Sequence, residues 1–305
     1  MIRYSIIIPH KNCPELLSRC LRSIPYSDEI EVIVVDDNSD DLAELKRLQD
    51  SCSDNVRFVY TKDGKGAGYA RNVGLSFAIG IWLIFADADD YFTEDAFSKF
   101  DSYVEGNSDI VYFTHKSVYS ETLEPCERYS VRNNLIIKYD NISDTQNKNN
   151  LKYHDLVPWA KMFRRSIITD NLIKFDEVPA SNDVMFVVKV AFRSEKIAVS
   201  QSPCYVLTYR KGSITRVVNK NNNFSRFKVS LRYNRFLEEN KIPVSKIRIL
   251  SHVLLALKLF GYKEAARYLK ELRDNKLSVF DGFLMSWMEL KEKASLFLKK
   301  DHYQG

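Results

Sequence analysis

Short apolar runs that alternate with amphipathic stretches constrain the fold of this chain more than any other feature. These predominantly apolar runs occupy residues 4–8, 31–35, 56–60, 81–85 and 109–113. The stretches between them predict helices at residues 14–24, 41–51 and 67–78. Strands that are apolar throughout and alternate with helices are typical of a parallel sheet that is covered on both faces. The pattern therefore predicts a doubly wound, mostly parallel α/β sheet with helices on both faces.

The rest of the chain has a different character. Residues 116–155 are polar and rich in turn residues, which predicts irregular surface structure that forms a mobile flap. Residues 156–209 regain aromatic side chains and predict short strands and a helix after Ser181. From about residue 222 onward the spacing is helical, with Pro243 and Gly261 as breaks between helices.

Composition excludes several classes of protein. Hydrophobic residues make up 45% of the 305 residues and charged residues 28%, which is ordinary for a globular protein. The longest apolar stretch, residues 79–86, is far shorter than the ~20 residues that a membrane-spanning helix needs. The N-terminus lacks the pattern of a signal peptide, and the five scattered cysteines include no Cys-x-x-Cys pair. We therefore expect a cytoplasmic protein without a disulfide framework or a zinc site.

The charge of the chain is concentrated near its C-terminus. The net charge is +5, and residues 241–305 hold 13 Lys and Arg against 7 Asp and Glu, a surplus of +6. The preceding 240 residues are thus nearly neutral and lack a basic stripe, so we expect no nucleic-acid partner. The basic, amphipathic C-terminal helices have two interpretations: a solvated helical face, or peripheral contact with the anionic face of the cytoplasmic membrane.

Carboxylates follow two of the apolar runs directly. Residues 36–40 read Asp-Asp-Asn-Ser-Asp, and residues 87–90 read Asp-Ala-Asp-Asp. In a parallel sheet these positions meet at the edge where ligands bind. Such residues also end strands and cap helices, and we assign that role to Asp40. For Asp87 and Asp89 we favour a site for Mg²⁺ or Mn²⁺, because two carboxylates after an apolar strand are costly without a partner.

A glycine-rich turn precedes the third helix. Residues 64–68 read Gly-Lys-Gly-Ala-Gly, and Arg71 follows on the helix. Such a turn either cradles a phosphate group or is a flexible loop. It matches neither the P-loop nor the dinucleotide-binding pattern, so by itself it does not identify a ligand.

Together, these segments resemble family 2 glycosyltransferases of the GT-A fold. Four blocks carry the resemblance, in the expected order and spacing: residues 5–9 (SIIIP), 34–40 (VVDDNSD), 68–74 (GYARNVG) and 85–90 (FADADD). Three later segments are also similar to the family: residues 159–165 (WAKMFRR), 181–186 (SNDVMF) and 209–215 (YRKGSIT). The resemblance covers roughly residues 1–217.

The resemblance implies an organisation and an activity. Residues 1–217 would form the catalytic domain, with a nucleotide-binding part at 1–115 and an acceptor-side part at 116–217, and residues 218–305 a helical extension. The activity would be that of an inverting, metal-dependent glycosyltransferase of the hexosyltransferase class (EC 2.4). It would transfer a sugar from a nucleotide-diphosphate donor to a hydroxyl of a saccharide or lipid-linked saccharide. The expected donor is a UDP-sugar. Cell-surface polysaccharide or glycan biosynthesis would be its context.

The resemblance also implies roles on the donor side. Pro9 would border the nucleobase, Asp37 would accept a hydrogen bond from uracil, and Arg71 would approach the base. Asp87 would bind the ribose side of the nucleotide. Asp89 would ligate the Mg²⁺ or Mn²⁺ ion that bridges the diphosphate and neutralises charge as the glycosidic bond breaks.

On the acceptor side, the resemblance implies that Asp183 is the general base. A single displacement needs one carboxylate to take the proton of the attacking hydroxyl, and the positive end of a helix favours the ionised form of that carboxylate. The alternative for Asp183 is an ordinary residue at a helix start. Trp159 and Asn182 would contact the acceptor, although Trp159 could equally be a core residue.

Two positions depart from the family pattern. An aromatic side chain that stacks on the nucleobase is common near position 11, where this chain has Lys11. Stacking is then lost, and Lys11 either contacts a phosphate or packs elsewhere. Asn182 stands where the family usually has Glu, so contacts to the acceptor are expected to differ.

Two other functions stay open at this point. A sugar-nucleotide nucleotidyltransferase would need a glycine-rich loop after the first strand, but residues 9–14 (PHKNCP) contain no glycine. A nucleotide-sugar-binding protein without turnover would not need Asp87, Asp89 and Asp183 together. The C-terminal helices could also form a lid or a homodimer contact.

Overall fold

The computed structural model describes residues 1–210 and 219–275. The chain forms two compact units. The first comprises Met1–Val217 and Ile242–Val244, and the second comprises Val218–Lys241 and Ser245–Gly305. The first unit contains the sheet, and the described part of the second is helical.

The first unit alternates strands and helices through its N-terminal half. The strands are β1 (Tyr4–His10), β2 (Ile30–Asp36), β3 (Val56–Tyr60), β4 (Trp82–Phe85), β5 (Tyr91–Phe92), β6 (Ile110–Tyr119), β7 (Lys161–Arg164) and β8 (Ile197–Tyr209). The helices are α1 (Pro14–Arg22), α2 (Ala43–Asp50), α3 (Ala67–Phe77), α4 (Ala96–Val104), α5 (Ser130–Asn141), α6 (Thr145–His154), α7 (Arg165–Asp170) and α8 (Val184–Arg193).

One eight-stranded sheet runs through this unit, in the order β3-β2-β1-β4-β7-β6-β8-β5. The four strands β3, β2, β1 and β4 are parallel neighbours. Every residue of β1 and β4 is buried, as a strand covered on both faces requires. The prediction of a doubly wound, mostly parallel α/β fold is confirmed, and the predicted bounds of the first four strands agree with the observed ones to within two residues.

The second half of the sheet is mixed. Strand β7 pairs antiparallel with both β4 and β6, whereas β6 and β8 are parallel to each other. The short strand β5 pairs antiparallel with the end of β8 through Phe92 and Tyr205. This pairing brings the long strand β8 beside the segment that follows β4, which carries the candidate metal-binding carboxylates.

The prediction of an irregular flap at residues 116–155 is wrong. Strand β6 continues to Tyr119, and helices α5 and α6 occupy most of the rest. Helix α6 begins at a regular cap, where the Asp144 side chain accepts a hydrogen bond from the Asn147 N–H at 2.6 Å. The sequence appears polar here because most side chains of residues 120–150 are exposed or only partly buried, and the buried groups that anchor the segment are themselves charged.

A buried ion cluster provides this anchor. Asp155 Oδ1 lies 3.0 Å from Arg132 Nε and 3.2 Å from Lys161 Nζ, and all three side chains are buried. Arg132 also donates to the carbonyl oxygen of Phe113 at 2.6 Å, so the cluster connects α5 to β6 as well as to β7. Burial lowers the pKa of Lys161 to about 8, and Asp155 opposes that shift.

The second unit has three described helices, α9 (Lys220–Glu239), α10 (Ile249–Phe260) and α11 (Tyr262–Asp274). Its core is formed by Phe227, Val253, Ala256, Tyr268 and neighbouring apolar residues. The predicted breaks are observed: Pro243 lies between α9 and α10, and Gly261 separates α10 from α11 with a φ of +82°. Residues 276–305 of the predicted extension lie outside the described residues. No helix within the described ranges is long and apolar enough to cross a membrane.

Replacing Asp155 with alanine tests the ion cluster. The substitution leaves two cations buried without their shared carboxylate, so we expect a loss of about 3–5 kcal/mol in the free energy of unfolding. Urea denaturation followed by tryptophan fluorescence measures it. Asp144→Ala is the control, because the loss of an exposed helix cap costs only about 1 kcal/mol. Equal losses in both variants would contradict the assigned role of the cluster.

Candidate active site

The candidate site lies at the carboxyl ends of the parallel strands. Residues 36–40 follow β2 and residues 87–90 follow β4, with β1 between the two strands. Pro9, at the buried end of β1, pairs with Val35 of β2. The fold therefore brings the two carboxylate-rich turns to one edge, as the sequence predicts.

Asp37 is a buried acceptor on the first turn. Its Oδ2 accepts a hydrogen bond from the Gly66 N–H at 2.8 Å, and Lys11 Nζ lies 3.9 Å from the same oxygen. Its Oδ1 is buried and has no hydrogen-bond partner among the residues that the structure describes. Gly64 and Gly66 have φ values of +59° and +94°, which favour glycine and let the loop approach Asp37.

A buried histidine–carboxylate pair holds this turn, and the sequence analysis did not identify it. His10 Nδ1 lies 2.8 Å from Asp36 Oδ1, and His10 Nε2 accepts a hydrogen bond from the Cys13 N–H at 3.2 Å. The Cys13 contact leaves Nδ1 as the protonated nitrogen, which donates to Asp36. Burial lowers the pKa of His10, and Asp36 opposes the shift. The pair fixes the ends of β1 and β2 relative to each other.

Strand β8 holds the second turn. Tyr205 accepts a hydrogen bond from the Asp87 N–H at 2.9 Å and donates its hydroxyl to Asp90 Oδ2 at 3.0 Å. The Thr208 N–H donates to Asp90 Oδ1 at 2.7 Å. Both carboxylate oxygens of Asp90 are therefore used within the fold. Asp90 positions the turn and leaves Asp87 and Asp89 partly exposed.

Arg19 is a further residue that the sequence analysis missed. From α1, its Nη2 donates to the carbonyl oxygen of Asp89 at 2.6 Å, and the Thr208 hydroxyl donates to the same oxygen at 2.7 Å. Two donors thus fix the backbone at Asp89. No local sequence signal could have revealed Arg19, because its partner is a backbone carbonyl 70 residues away along the chain.

Asp89 has the surroundings of a metal ligand. Burial raises its pKa, and the neighbouring Asp87 carboxylate raises it further. A divalent cation would relieve both effects. Among residues 1–210 and 219–275 no cluster of three or more His, Cys, Asp or Glu is placed to hold a metal. An ion such as Mg²⁺ binds through one or two carboxylates, several waters and the phosphates of a substrate. Asp89 and a bound diphosphate therefore form a suitable donor set.

Arg71 connects the second turn to the segment before α8. Its Nη2 donates to Asp87 Oδ1 at 2.6 Å, and its Nη1 donates to Asn182 Oδ1 at 2.9 Å. The guanidinium is buried, whereas about a third of the Asp87 side chain is exposed. The structure therefore places Arg71, Asp87 and Asn182 in one hydrogen-bonded group. Contact between Arg71 and a nucleobase stays a prediction.

Asp183 adjoins this group at the N-cap position of α8. Its side chain makes no capping hydrogen bond to the helix. Burial raises its pKa and Asp87 raises it further, whereas Arg71 and Lys161 act in the opposite direction. The sequence predicts that the helix end favours the ionised form. Desolvation opposes that effect, and the charges of Arg71 and Lys161 act in the same direction as the helix end.

Helix α3 holds the segment that carries Asp183. Asn72 pairs with the backbone of Phe175, accepting from its N–H at 2.8 Å and donating to its carbonyl at 3.0 Å. At Gly68 the two backbones touch, because an added Cβ would lie 2.0 Å from the Asp176 carbonyl oxygen and 2.9 Å from Asn182 Cβ. Only glycine allows this approach.

Trp159 is packed inside the first unit. Only 4% of it is exposed, and its ring stacks on Tyr205 with centroids 5.5 Å apart. Arg132 lies 5.0 Å above the same ring. These contacts are those of a core residue that supports Tyr205 behind the second turn. A direct contact between Trp159 and an acceptor stays a prediction.

The sequence model of Glycosyl transferase family 2 matches residues 5–172, which is more than half of the chain. This chain therefore belongs to family 2 of the glycosyltransferases. It is 27% identical over 227 residues to the poly(ribitol-phosphate) beta-N-acetylglucosaminyltransferase TarS of Staphylococcus aureus, covering 70% of this chain and 36% of TarS. Glycosyltransferase GlyA of Streptococcus pneumoniae is also 27% identical over 227 residues, covering 70% of this chain and 32% of GlyA. The chain thus spans about a third of the length of these curated relatives.

Solved structures share the fold. A crystal structure of S. aureus TarS 1-349 in complex with UDP-GlcNAc superposes with a TM-score of 0.61 at 20% identity, covering 95% of this chain and 78% of that one. Mannosyltransferase PcManGT from Pyrobaculum calidifontis, in complex with GDP-Man and Mn²⁺, gives a TM-score of 0.55 at 17% identity, covering 97% and 80%. These similarities confirm the GT-A fold.

Replacing Gly68 with alanine tests the contact between α3 and the segment before α8. The new methyl group meets a backbone carbonyl that cannot rotate away, so we expect the segment to shift and the free energy of unfolding to fall by about 1–3 kcal/mol. Hydrogen exchange measures the shift as faster exchange at residues 176–183. Ser76→Ala, at an exposed position of α3, is the control. Unchanged exchange in Gly68→Ala would show that the close contact does not hold the segment.

Proposed function

We propose that this chain is an inverting glycosyltransferase that moves a sugar from a nucleotide-diphosphate donor to an acceptor hydroxyl. The observation that carries the proposal is the pair of hydrogen bonds from Arg71. One reaches Asp87 on the turn after β4, and the other reaches Asn182 beside Asp183. A donor-binding turn and a candidate base therefore share one site at the edge of the sheet where α/β folds bind ligands.

On the donor side, the nucleobase lies between Pro9 and Asp37, and the ribose lies near Asp87. Asp37 Oδ1 supports this assignment, because a buried acceptor without a partner favours a ligand that brings an N–H group. Asp89 would hold Mg²⁺ or Mn²⁺ together with the diphosphate. The ion would neutralise the negative charge on the leaving group. Arg19 and Thr208 keep the backbone at Asp89 in place.

On the acceptor side, Asp183 takes the proton of the attacking hydroxyl. It is suited to this role because its carboxylate makes no capping hydrogen bond and because Arg71 and Lys161 favour its charged form. The hydroxyl attacks the anomeric carbon from the face opposite the diphosphate, so the configuration inverts. Asn182 is held by Arg71 and orients the acceptor from the adjacent position.

The relatives suggest the substrate class. TarS was crystallised with UDP-GlcNAc, and the TarS name describes transfer of N-acetylglucosamine to poly(ribitol-phosphate). We infer a UDP-sugar as the donor and a cell-surface polysaccharide or its lipid-linked precursor as the acceptor. The first unit is the catalytic domain in this proposal, and the helical unit is the candidate for peripheral contact at the cytoplasmic face of the membrane.

Replacing Asp183 with asparagine tests the assignment of the base. The amide cannot take a proton, so we expect transfer from a panel of UDP-sugars to fall by about 10²–10⁴-fold. The affinity for UDP, measured by calorimetry with Mn²⁺, should stay within about twofold because the donor-side contacts remain. Glu195→Gln, an exposed substitution beyond the end of α8, is the control. Unchanged transfer by Asp183→Asn would exclude Asp183 as the base.

The pH dependence of transfer follows from the same carboxyl group. Its pKa is raised above the ordinary value, and the base is active only when ionised, so activity should fall as the pH drops through that raised pKa. Arg71→Gln removes a cation that favours ionisation, and the acidic limb of the pH–rate profile should therefore move to higher pH. An acidic limb that does not move would contradict the electrostatic role of Arg71.

A further inference from the structure

A second charged group lies beside the buried carboxylate of Asp37. Lys11 Nζ is 3.9 Å from Asp37 Oδ2, and a Cβ added at Gly64 would lie 3.4 Å from the same nitrogen. The ammonium is thus held between the turn after β2 and the glycine-rich loop. The Lys11 side chain is 47% exposed, so the ammonium can also reach a ligand that lies on this edge.

The backbone that carries Lys11 is fixed to the turn that carries Asp37. The Asn12 N–H donates to Ser39 Oγ at 2.9 Å, and the Asn12 side chain exchanges two hydrogen bonds with Asp40, at 2.7 and 2.9 Å. On the other side of Lys11, His10 is bound to Asp36 at 2.8 Å. Four hydrogen bonds therefore hold Lys11 and Asp37 side by side in the free protein.

Asp37 provides a hydrogen-bond acceptor and Lys11 provides a hydrogen-bond donor. Asp37 Oδ2 already accepts from Gly66, whereas the buried Oδ1 has no partner within the described ranges. The Asp37 carboxylate therefore favours a ligand with an N–H at that point, and the ammonium of Lys11 favours a neighbouring oxygen. An N–H beside a carbonyl is the edge that an imide or lactam group of a nucleobase presents.

Building on the proposed function, we propose that Lys11 is a specificity residue that reads the nucleobase of the donor. Asp37 Oδ1 accepts the ring N–H, and Lys11 donates to the adjacent carbonyl oxygen. Uracil, thymine and guanine share this edge. Cytosine and adenine present a ring acceptor beside an amino group. The ring acceptor would then face the Asp37 carboxylate, and the amino donor would face the Lys11 ammonium. A hydrogen bond at the edge of the base then takes the place of the stacking that an aromatic side chain would give.

The selectivity should be large. A site that is built to hydrogen-bond one pattern of donors and acceptors strongly disfavours a ligand that leaves its buried groups unpaired. We expect the preferred nucleotide among UDP, dTDP and GDP to bind at least about a hundredfold more tightly than CDP and ADP. If Lys11 instead contacted a phosphate, its loss would weaken all five nucleotides equally.

Calorimetric titration of these five nucleotides with Mn²⁺ into the full chain tests the proposal. We expect Lys11→Met to weaken the preferred nucleotide by about tenfold and to bring its affinity closer to that of CDP. Lys46→Met is the matched control, because it removes the same charge from an exposed position of α2. It should change neither the affinity nor the order of preference.

A thio-analogue of the preferred nucleotide identifies the atom involved. Sulfur is a weak acceptor, so 4-thio-UDP, 4-thio-dTDP or 6-thio-GDP should lose affinity for the native chain and lose less for Lys11→Met. An unchanged affinity of Lys11→Met, an equal loss for all five nucleotides, or tight binding of CDP or ADP would overturn the inference and leave the proposed function in place. Failure of every nucleotide to bind would overturn both.

Discussion

The ion pair between Arg71 and Asp87 is the contact on which the rest of the candidate site depends. It joins a buried guanidinium on α3 to a carboxylate on the turn after β4, and the second hydrogen bond of Arg71 reaches Asn182. A buried charge that loses its partner is strongly destabilising, so these groups hold their positions together. In the proposed function, this one side chain positions both the donor-side turn and the segment that carries the candidate base, Asp183.

The two halves of the sheet contribute different parts of the candidate site around that contact. The parallel half presents the turns after β2 and β4 at one edge. The mixed half supplies β8, whose Tyr205 and Thr208 hold Asp90 and thereby leave Asp87 and Asp89 open to a ligand. In the same unit, the ion cluster around Asp155 connects the segment between β6 and β7 to the sheet. The polar groups of this unit therefore form connected networks that support the site.

The sequence predicted those features that depend on local pattern. Predominantly apolar runs of five residues marked the first four strands, and the carboxylates at Asp87 and Asp89 stood out because they follow such a run. Residues whose partners are distant in sequence gave no such signal, which is why Arg19 and the pair of His10 with Asp36 emerged only from the structure. The helices between residues 130 and 154 were not predicted because most of their side chains are exposed or only partly buried, so an ordered segment has the composition of a polar loop.

The proposed donor site is tested most directly by a crystal structure with UDP and Mn²⁺, with data collected at the manganese absorption edge. We expect one anomalous peak within about 2.5 Å of an Asp89 carboxylate oxygen and of the diphosphate. The uracil should lie against Asp37, and the open face of the diphosphate should point towards Asp183. A nucleotide bound at the opposite edge of the sheet, or a manganese ion bound away from Asp89, would show that the proposed site is wrong.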